Sequence, residues 1–332
     1  MTTKWHKLLC KKDQLQLLGT LNGGQSFRWK QIPENQWLGI FSKKVWILKE
    51  ATDAILYQVH APNSTKTSPK KCNEELSNYL HLDVDLSEYY PKWSEKDPNF
   101  KDAAEQFYGI RILRQDVVEN IFSFICSQNN HISRITSMVE KLAEYYGEKI
   151  CDINGITYYS FPDVEKLAAD GVEQHLRNNG FGYRAKYISN SAKLIADGGG
   201  NKWINELQEM KYEDAKKNLM TLMGIGAKVA DCICLMSLGH LQAIPVDTHI
   251  YQIAARLYMP KLGKQKTVTE KIYNEIGEFF RDLYGPLAGW AHTVLFCADL
   301  KKFQDNKVET AKTSKHKKQD SKTKINSKKL KT

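Results

Sequence analysis

The sequence predicts an α+β fold: an N-terminal antiparallel β-sheet domain over 1–102, a mostly α-helical domain over 103–300 and a disordered, lysine-rich tail over 301–332. Three observations predict it. Residues 5–60 alternate apolar and polar side chains in short runs separated by turn residues, which is the period of half-buried strands. From about Ala103 the apolar residues recur at helical spacing. Residues 301–332 carry twelve lysines against Asp305, Glu309 and Asp320, so twelve minus three, or +9, of the chain's net +10 lies there. A segment so charged and so poor in apolar side chains buries too little surface to fold.

In chain order, the strand candidates are SFRWKQ, QWLGIFS, KVWILKE and AILYQVH. Gly23-Gly24, ahead of the first, read as a turn or bulge. Residues 61–72 form a polar loop, and helical patterning begins at Leu76. Asp97-Pro98 has the form of a helix start. The run from Asp116 to Ile125 gives a buried helix leading into Cys126-Ser127-Gln128-Asn129-Asn130-His131. An Asn-Asn pair that interrupts apolar periodicity marks a loop or cap. The run GFGYRAKY, from Gly180 to Tyr187, interleaves glycine, aromatic and cation. That composition suits a nucleic-acid backbone, and also an ordinary loop entering a helix. Gly198-Gly199-Gly200 reads as a flexible connector. Two helical stretches, 267–283 and 286–300, close the body.

Residues 218–256 organise the rest. A short helix ends at Leu222-Met223, Gly224-Ile225-Gly226 turns, and a second helix runs from about Ala227 to Leu238. Glycine suits such a turn because it accepts φ > 0 and close backbone approach. The N–H groups of Gly224, Gly226 and Val229 are left without helical partners there and suit a phosphate. Lys228 stands in the first turn of the second helix, ahead of the nearly apolar VADCICLMSL and one turn from Cys232. A helix lysine is ordinarily solvated, but a desolvated surface at a helix N-terminus favours the free, nucleophilic amine. Such an amine can attack C1′ of a deoxynucleoside, displace the base and leave a Schiff base, with loss of the 3′ phosphate to follow. Asp247 lies nineteen residues on, between Pro245-Val246 and Thr248-His249-Ile250. It is a good N-cap. An anion near C1′ also stabilises the cationic sugar that develops as a base leaves.

Composition narrows the class. Hydrophobic residues make up 42% of the chain, ample for a packed core. The seven cysteines are scattered; Cys232 and Cys234 point apart on a helix, so no metal-ligand spacing is present and reduced thiols are expected. With Cys297 alone after Cys234, a four-cysteine iron–sulphur cluster is excluded. No run of 18 apolar residues and no apolar leader are seen, so no membrane partner is expected.

Taken together, these residues resemble the helix-hairpin-helix DNA-repair glycosylases, and among them the eukaryotic-type 8-oxoguanine DNA glycosylases with lyase activity. The resemblance runs from about Trp5 to Leu300 and is carried by GGQSFRW, GIRILRQD, FSFICSQNN, GFGYRAKY, GIGAKVADCICLMSL, PVDTH and GWAHTVLFCADL. It implies a monomer with no cofactor, a nuclear location with the mitochondrion as an alternative, and duplex DNA bearing 8-oxoguanine opposite cytosine as partner. It implies Lys228 as nucleophile and Asp247 as its electrostatic partner. Asn129, Arg134, Tyr183 and Arg184 match residues that fill the gap left by the extruded base and contact the orphaned cytosine. His249 matches a phosphate contact. The Gly24 carbonyl would accept from the N7–H that distinguishes oxidised guanine, and Cys232 and Phe296 would sandwich the base. His292 shares a helix face with Phe296 and Asp299. Two departures stand out: His292 occupies the place of a glutamine that reads the Watson–Crick edge, and Gln128 and His131 interrupt an asparagine or serine run. With a reference pKa of about 6.5, protonation of His292 is expected to weaken base binding as the pH falls through that region. The alternatives are a related glycosylase with another damaged-base preference and a non-catalytic hairpin module, which has no need of Lys228 and Asp247 together.

Overall fold

In a computed structural model, which describes residues 4–62, 67–264 and 268–300, the alternating N-terminal runs pair as expected. The strands are β1 (His6–Leu9), β2 (Trp29–Ile32), β3 (Gln36–Phe41), β4 (Lys44–Ala51) and β5 (Ala54–His60), all antiparallel in the order β1-β5-β4-β3-β2. The period of two sorts their side chains onto two faces. Trp37, Phe41, Trp46 and Leu48 pack on one face with Cys72, Leu76 and Tyr79. Leu38, Ile40, Val45 and Ile47 pack on the other with Ile150 and Tyr158. The lysine-rich tail at 301–332 lies outside the described residues.

Helices fill most of the remainder. Short α1 (Leu17–Asn22) precedes β2, and α2 (Pro69–Tyr79), α3 (Tyr90–Lys96) and α4 (Pro98–Gln106) follow the sheet. Next come α5 (Val117–Ser127), α6 (Ile132–Tyr146), α7 (Val164–Ala168), α8 (Val172–Asn178), α9 (Arg184–Asp197) and α10 (Asn201–Glu209). The last five are α11 (Tyr212–Leu219), α12 (Ala227–Met236), α13 (Thr248–Ile253), α14 (Glu270–Tyr284) and α15 (Ala288–Asp299). Asp97 caps α4 through Asn99 N at 2.9 Å and also accepts from the hydroxyls of Tyr258 and Tyr284. Leu86, Tyr90, Trp93 and Phe100 share one core with α5 to α15, so the core crosses the 102/103 boundary.

Three local expectations change. Helix α2 begins inside the segment read as loop: Ser68 caps it, accepting from Lys71 N at 3.3 Å, and Pro69 opens it. A hairpin of β6 (Lys149–Ile153) and β7 (Ile156–Tyr159) interrupts the region read as helical, turning at Asn154-Gly155, both with positive φ. Gly198-Gly199-Gly200 is a closed joint, with Gly199 N donating to Ala196 O at 3.0 Å and Gly200 N to Ile195 O at 2.9 Å.

The irregular segment 110–115 ties these parts together. Arg111 is 1% exposed. Its guanidinium donates to the carbonyls of Gln14, His81 and Val84 and to Gln14 Oε1, and its N–H to Thr20 Oγ1. Replacing it leaves several buried carbonyls without donors, each costing about 1–3 kcal/mol. Arg111→Ala is therefore expected to lower unfolding free energy by at least about 3 kcal/mol, seen as a lower urea midpoint. A midpoint within error of wild type would show that the carbonyls find other donors.

Candidate active site and DNA-facing loops

The hairpin forms where the glycines demand it. Gly224 has φ +86°, and a Cβ there would lie 2.3 Å from the Tyr187 ring, so both conformation and space require glycine. Gly226 caps α12 with its backbone and leaves Lys228 in the first turn. Among the described residues, no carbonyl receives the N–H groups of Gly224, Gly226 or Val229 as the turn opens, the condition an anion needs. Asp247 caps α13, its carboxylate accepting from Ile250 N at 2.9 Å.

The residues expected at the base pocket meet in one cavity. Gly24, Lys228, Cys232, Asp247, His292 and Phe296 line it, joined by Gly23, Gln25, Phe124, Leu235, Met236, Pro245 and Thr293. Gly24 has φ +84°, a conformation that turns its backbone into the cavity wall. Lys228 is half-buried, rather than enclosed as the apolar run suggested, with Nζ 5.2 Å from the Phe124 ring centroid. Phe124 was hidden in sequence because it reads as an ordinary core residue of α5. Gln25 was hidden too. It is 1% exposed, donates to Arg111 O at 2.7 Å and accepts from Leu113 N at 3.0 Å, which fixes Gly24 beside it.

Burial shifts two titratable side chains of the pocket wall, Cys232 and His292. It pushes the Cys232 thiol up to about 11; the Lys228 charge pulls it back and the Asp247 charge pushes it further. His292 is 5% exposed, and neither ring nitrogen has a well-formed hydrogen bond. Burial pushes its imidazole down to about 4, against smaller opposing effects of Asp247 and the Pro245 and Gly289 backbone. The expectation of a titration near 6.5 is thereby corrected: burial holds the His292 imidazole below its ordinary value and neutral at physiological pH.

The residues expected to face DNA lie on neighbouring loops. Asn129 is exposed, with φ +44°, between α5 and α6. Tyr183 is 43% exposed and donates to Gln128 O at 3.2 Å. Arg134 is exposed and donates to Gly180 O at 3.1 Å. Arg184 is 3% exposed; it donates to the carbonyls of Gln128 and Asn129, the latter at 3.1 Å, and stacks 4.6 Å from Tyr183. In this state it braces the Asn129 loop. Gln128 and His131, which depart from the family pattern, each make a defined contact. Gln128 Nε2 donates to Gly224 O at 2.6 Å, joining this loop to the hairpin, and His131 caps α6 by accepting from Arg134 N at 3.4 Å. His249 stands apart from the loops, 3.8 Å from the Asp299 carboxylate and edge-on to Phe296.

Known proteins resemble the chain over most of its length. Residues 7–121 match the 8-oxoguanine DNA glycosylase N-terminal domain, and residues 122–278 match the HhH-GPD superfamily of base excision DNA repair proteins. The chain is 39% identical over 303 residues to the N-glycosylase/DNA lyase OGG1 of Arabidopsis thaliana, covering 90% of this chain and 81% of that one. It is 34% identical over 331 residues to the N-glycosylase/DNA lyase of Saccharomyces cerevisiae, covering 90% and 87%. Among solved structures, MBOgg1 in complex with a low-affinity DNA ligand superposes with a TM-score of 0.78 at 31% identity, over 90% of this chain and 98% of that one. The Clostridium acetobutylicum 8-oxoguanine glycosylase/lyase, bound to duplex DNA with cytosine opposite 8-oxoG, gives 0.75 at 29% identity, over the same shares.

The depressed His292 value carries a stability consequence. Its folded pKa lies below the unfolded one, so between about pH 6.5 and 4 the unfolded chain binds more protons. Stability therefore rises with pH across that window and is lost on acidification. At about 1.4 kcal/mol per pKa unit, His292 accounts for up to about 3 kcal/mol of that loss. His292→Gln is expected to flatten the slope of unfolding free energy between pH 6.5 and 4, while base release from pH 5.5 to 8.5 keeps the wild-type pH profile. A base-release profile that changes shape in His292→Gln near pH 6.5 would show that the imidazole titrates there after all.

Proposed function

Because the chain belongs to the 8-oxoguanine DNA glycosylase family within the HhH-GPD superfamily, we propose that it excises 8-oxoguanine opposite cytosine, using Lys228 as nucleophile. It is an N-glycosylase and DNA lyase acting on duplex DNA. The observation that supports the residue assignment is the single cavity lined by Lys228, Asp247, Cys232, Gly24, His292 and Phe296.

The reaction follows from that arrangement. Lys228 Nζ attacks C1′ while the C1′–N9 bond breaks and its electron pair leaves with the base. Asp247 stabilises the positive charge that builds on the sugar. The aminated sugar opens to an imine, and removal of a C2′ proton expels the 3′ phosphate. Gly24 presents a carbonyl to N7–H, a donor where normal guanine has an acceptor. Neutral His292 can accept from the Watson–Crick edge through one ring nitrogen. Cys232 and Phe296 flank the base, which leaves the helix at a cost of a few kcal/mol. Asn129 and Tyr183 fill the gap, Arg134 reads the orphaned cytosine, and Arg184 holds the loop on which Asn129 stands. The N–H groups of Gly224, Gly226 and Val229, with His249, receive flanking phosphates. We place this activity in the nucleus on the strength of the lysine-rich segment 301–332, whose composition suits an import signal.

Two experiments test it. Borohydride is expected to trap wild-type protein on an 8-oxoguanine duplex, while Lys228→Gln binds the same duplex and yields no adduct. A normal adduct yield from Lys228→Gln would remove the mechanism. Separately, base release is compared opposite each of the four bases. Arg134→Ala is expected to relax the preference for cytosine by about 1–3 kcal/mol. Arg184→Ala is expected to slow release opposite all four alike, because it frees the Asn129 loop. A uniform loss from Arg134→Ala would assign it to phosphate instead.

A further inference from the structure

A buried polar cluster behind α12 links the two catalytic residues proposed above. Asp231 is 0% exposed. One carboxylate oxygen accepts from Tyr212 Oη at 2.7 Å; the other accepts from Lys216 Nζ at 2.9 Å and from Tyr273 Oη. Lys216 lies between two phenol rings, 5.6 Å from the centroid of Tyr212 and 5.0 Å from that of Tyr273. A phenol has one proton. Given to the carboxylate, it leaves the Tyr273 lone pairs to accept, and the N–H of Val246 reaches that oxygen at 3.4 Å. Val246 sits between Pro245, which lines the base cavity, and Asp247. The Asp247 carboxylate's own bond, to Ile250 N, ties it to α13. The bond through Tyr273 ties the same segment to α12, three residues from Lys228.

We propose that Tyr273, oriented by Asp231, is a positioning residue that fixes Asp247 relative to Lys228 and so governs base departure more than the lyase step. The inference rests on the assignment of Lys228 and Asp247 as the catalytic pair. Its chemistry is directional. Asp247 matters while positive charge develops at C1′, whereas an abasic sugar already presents an aldehyde to Lys228 and needs no such anion to lose a base. A displacement of an ångström in a charged group can cost up to about a hundredfold in rate.

The test uses the full chain as wild type, Tyr273→Phe, Asp247→Asn and the double variant. Single-turnover release from a duplex with 8-oxoguanine opposite cytosine is measured beside borohydride trapping on a duplex with a preformed abasic site. Tyr273→Phe is expected to slow base release by about tenfold or more, and to leave abasic-site trapping within about twofold. In the Asp247→Asn background the same change is expected to add little, because coupled residues are non-additive. Asp231→Asn is expected to show the same step-selective loss, and it decides the matter where Tyr273→Phe is poorly soluble. Equal slowing of both steps, or an undiminished effect in the Asp247→Asn background, would reduce Tyr273 to a packing role. Wild-type protein that releases no 8-oxoguanine would remove the proposed function and this inference with it. Wild-type activity matched by Tyr273→Phe would remove the inference alone.

Discussion

A buried guanidinium met by carbonyl oxygens is the constraint on which the rest of the structure depends. Burying an unpaired charge is costly, and Arg111 has no carboxylate within ion-pair distance among the described residues. What offsets that cost is a ring of carbonyls from Gln14, His81 and Val84, three segments that would otherwise hold buried acceptors of their own. Satisfying one group therefore fixes three stretches of chain. The neighbours of Arg111 extend the effect. Trp290 Nε1 donates to Ile110 O at 2.7 Å, Gln25 brackets Arg111 and Leu113, and Gln115 N donates to Met236 O at 2.8 Å. Gly24 comes from one end of the chain and α15, which carries His292 and Phe296, from the other, yet Gln25 and Trp290 tie both to this single segment. The pocket keeps its shape because its walls share a fixed reference.

The loops proposed to face DNA are organised by a similar device on a smaller scale. Arg184 occupies carbonyls of Gln128 and Asn129, and Gln128 spends its amide on Gly224. The loop bearing Asn129 and the hairpin turn are thus one unit. Ordering a loop at the moment of binding costs affinity, and a loop already bonded in place avoids much of that cost. Gln128 performs a task that a shorter serine side chain would not reach, which accounts for this departure from the family pattern.

Much of this was legible in the sequence, for reasons that are physical. The sheet strands alternate cleanly because each has two packed or half-packed faces, and the glycine turn announces the hairpin. Lys228 and Asp247 were singled out by their chemistry and by the family resemblance, and both line one cavity. The hairpin β6–β7 was missed although Asn154-Gly155 is a strong turn signal, because the helical periodicity on both sides dominated the window. The start of α2 was missed because TSPKKCNEE offers few apolar residues to reveal a period, leaving Ser68-Pro69 as its sole mark. Gln25, Phe124, Asp231 and Tyr273 were illegible for a different reason. Each acts through partners far away in sequence, such as Gln25 and Arg111, which stand 86 positions apart. Local pattern carries no trace of such a contact.

The electrostatics of the pocket follow from where burial is complete and where it is not. Desolvation raises the Cys232 thiol and lowers the His292 imidazole, driving an acid and a base alike to their uncharged forms. The walls that enclose the base are therefore neutral at physiological pH. Lys228 and Asp247 stand at the mouth, half-buried, and their charges are felt by both neutral walls. A charge inside the wall would have to be stripped of water for every base that entered, and would act on the base before reaction as strongly as during it. In the proposed reaction the half-buried Asp247 carboxylate would act instead on C1′, where positive charge develops as the glycosidic bond breaks. The histidine that replaces the family glutamine fits this scheme because burial keeps it neutral. A protonated imidazole facing the donors N1–H and the N2 amine would repel the base it is placed to hold.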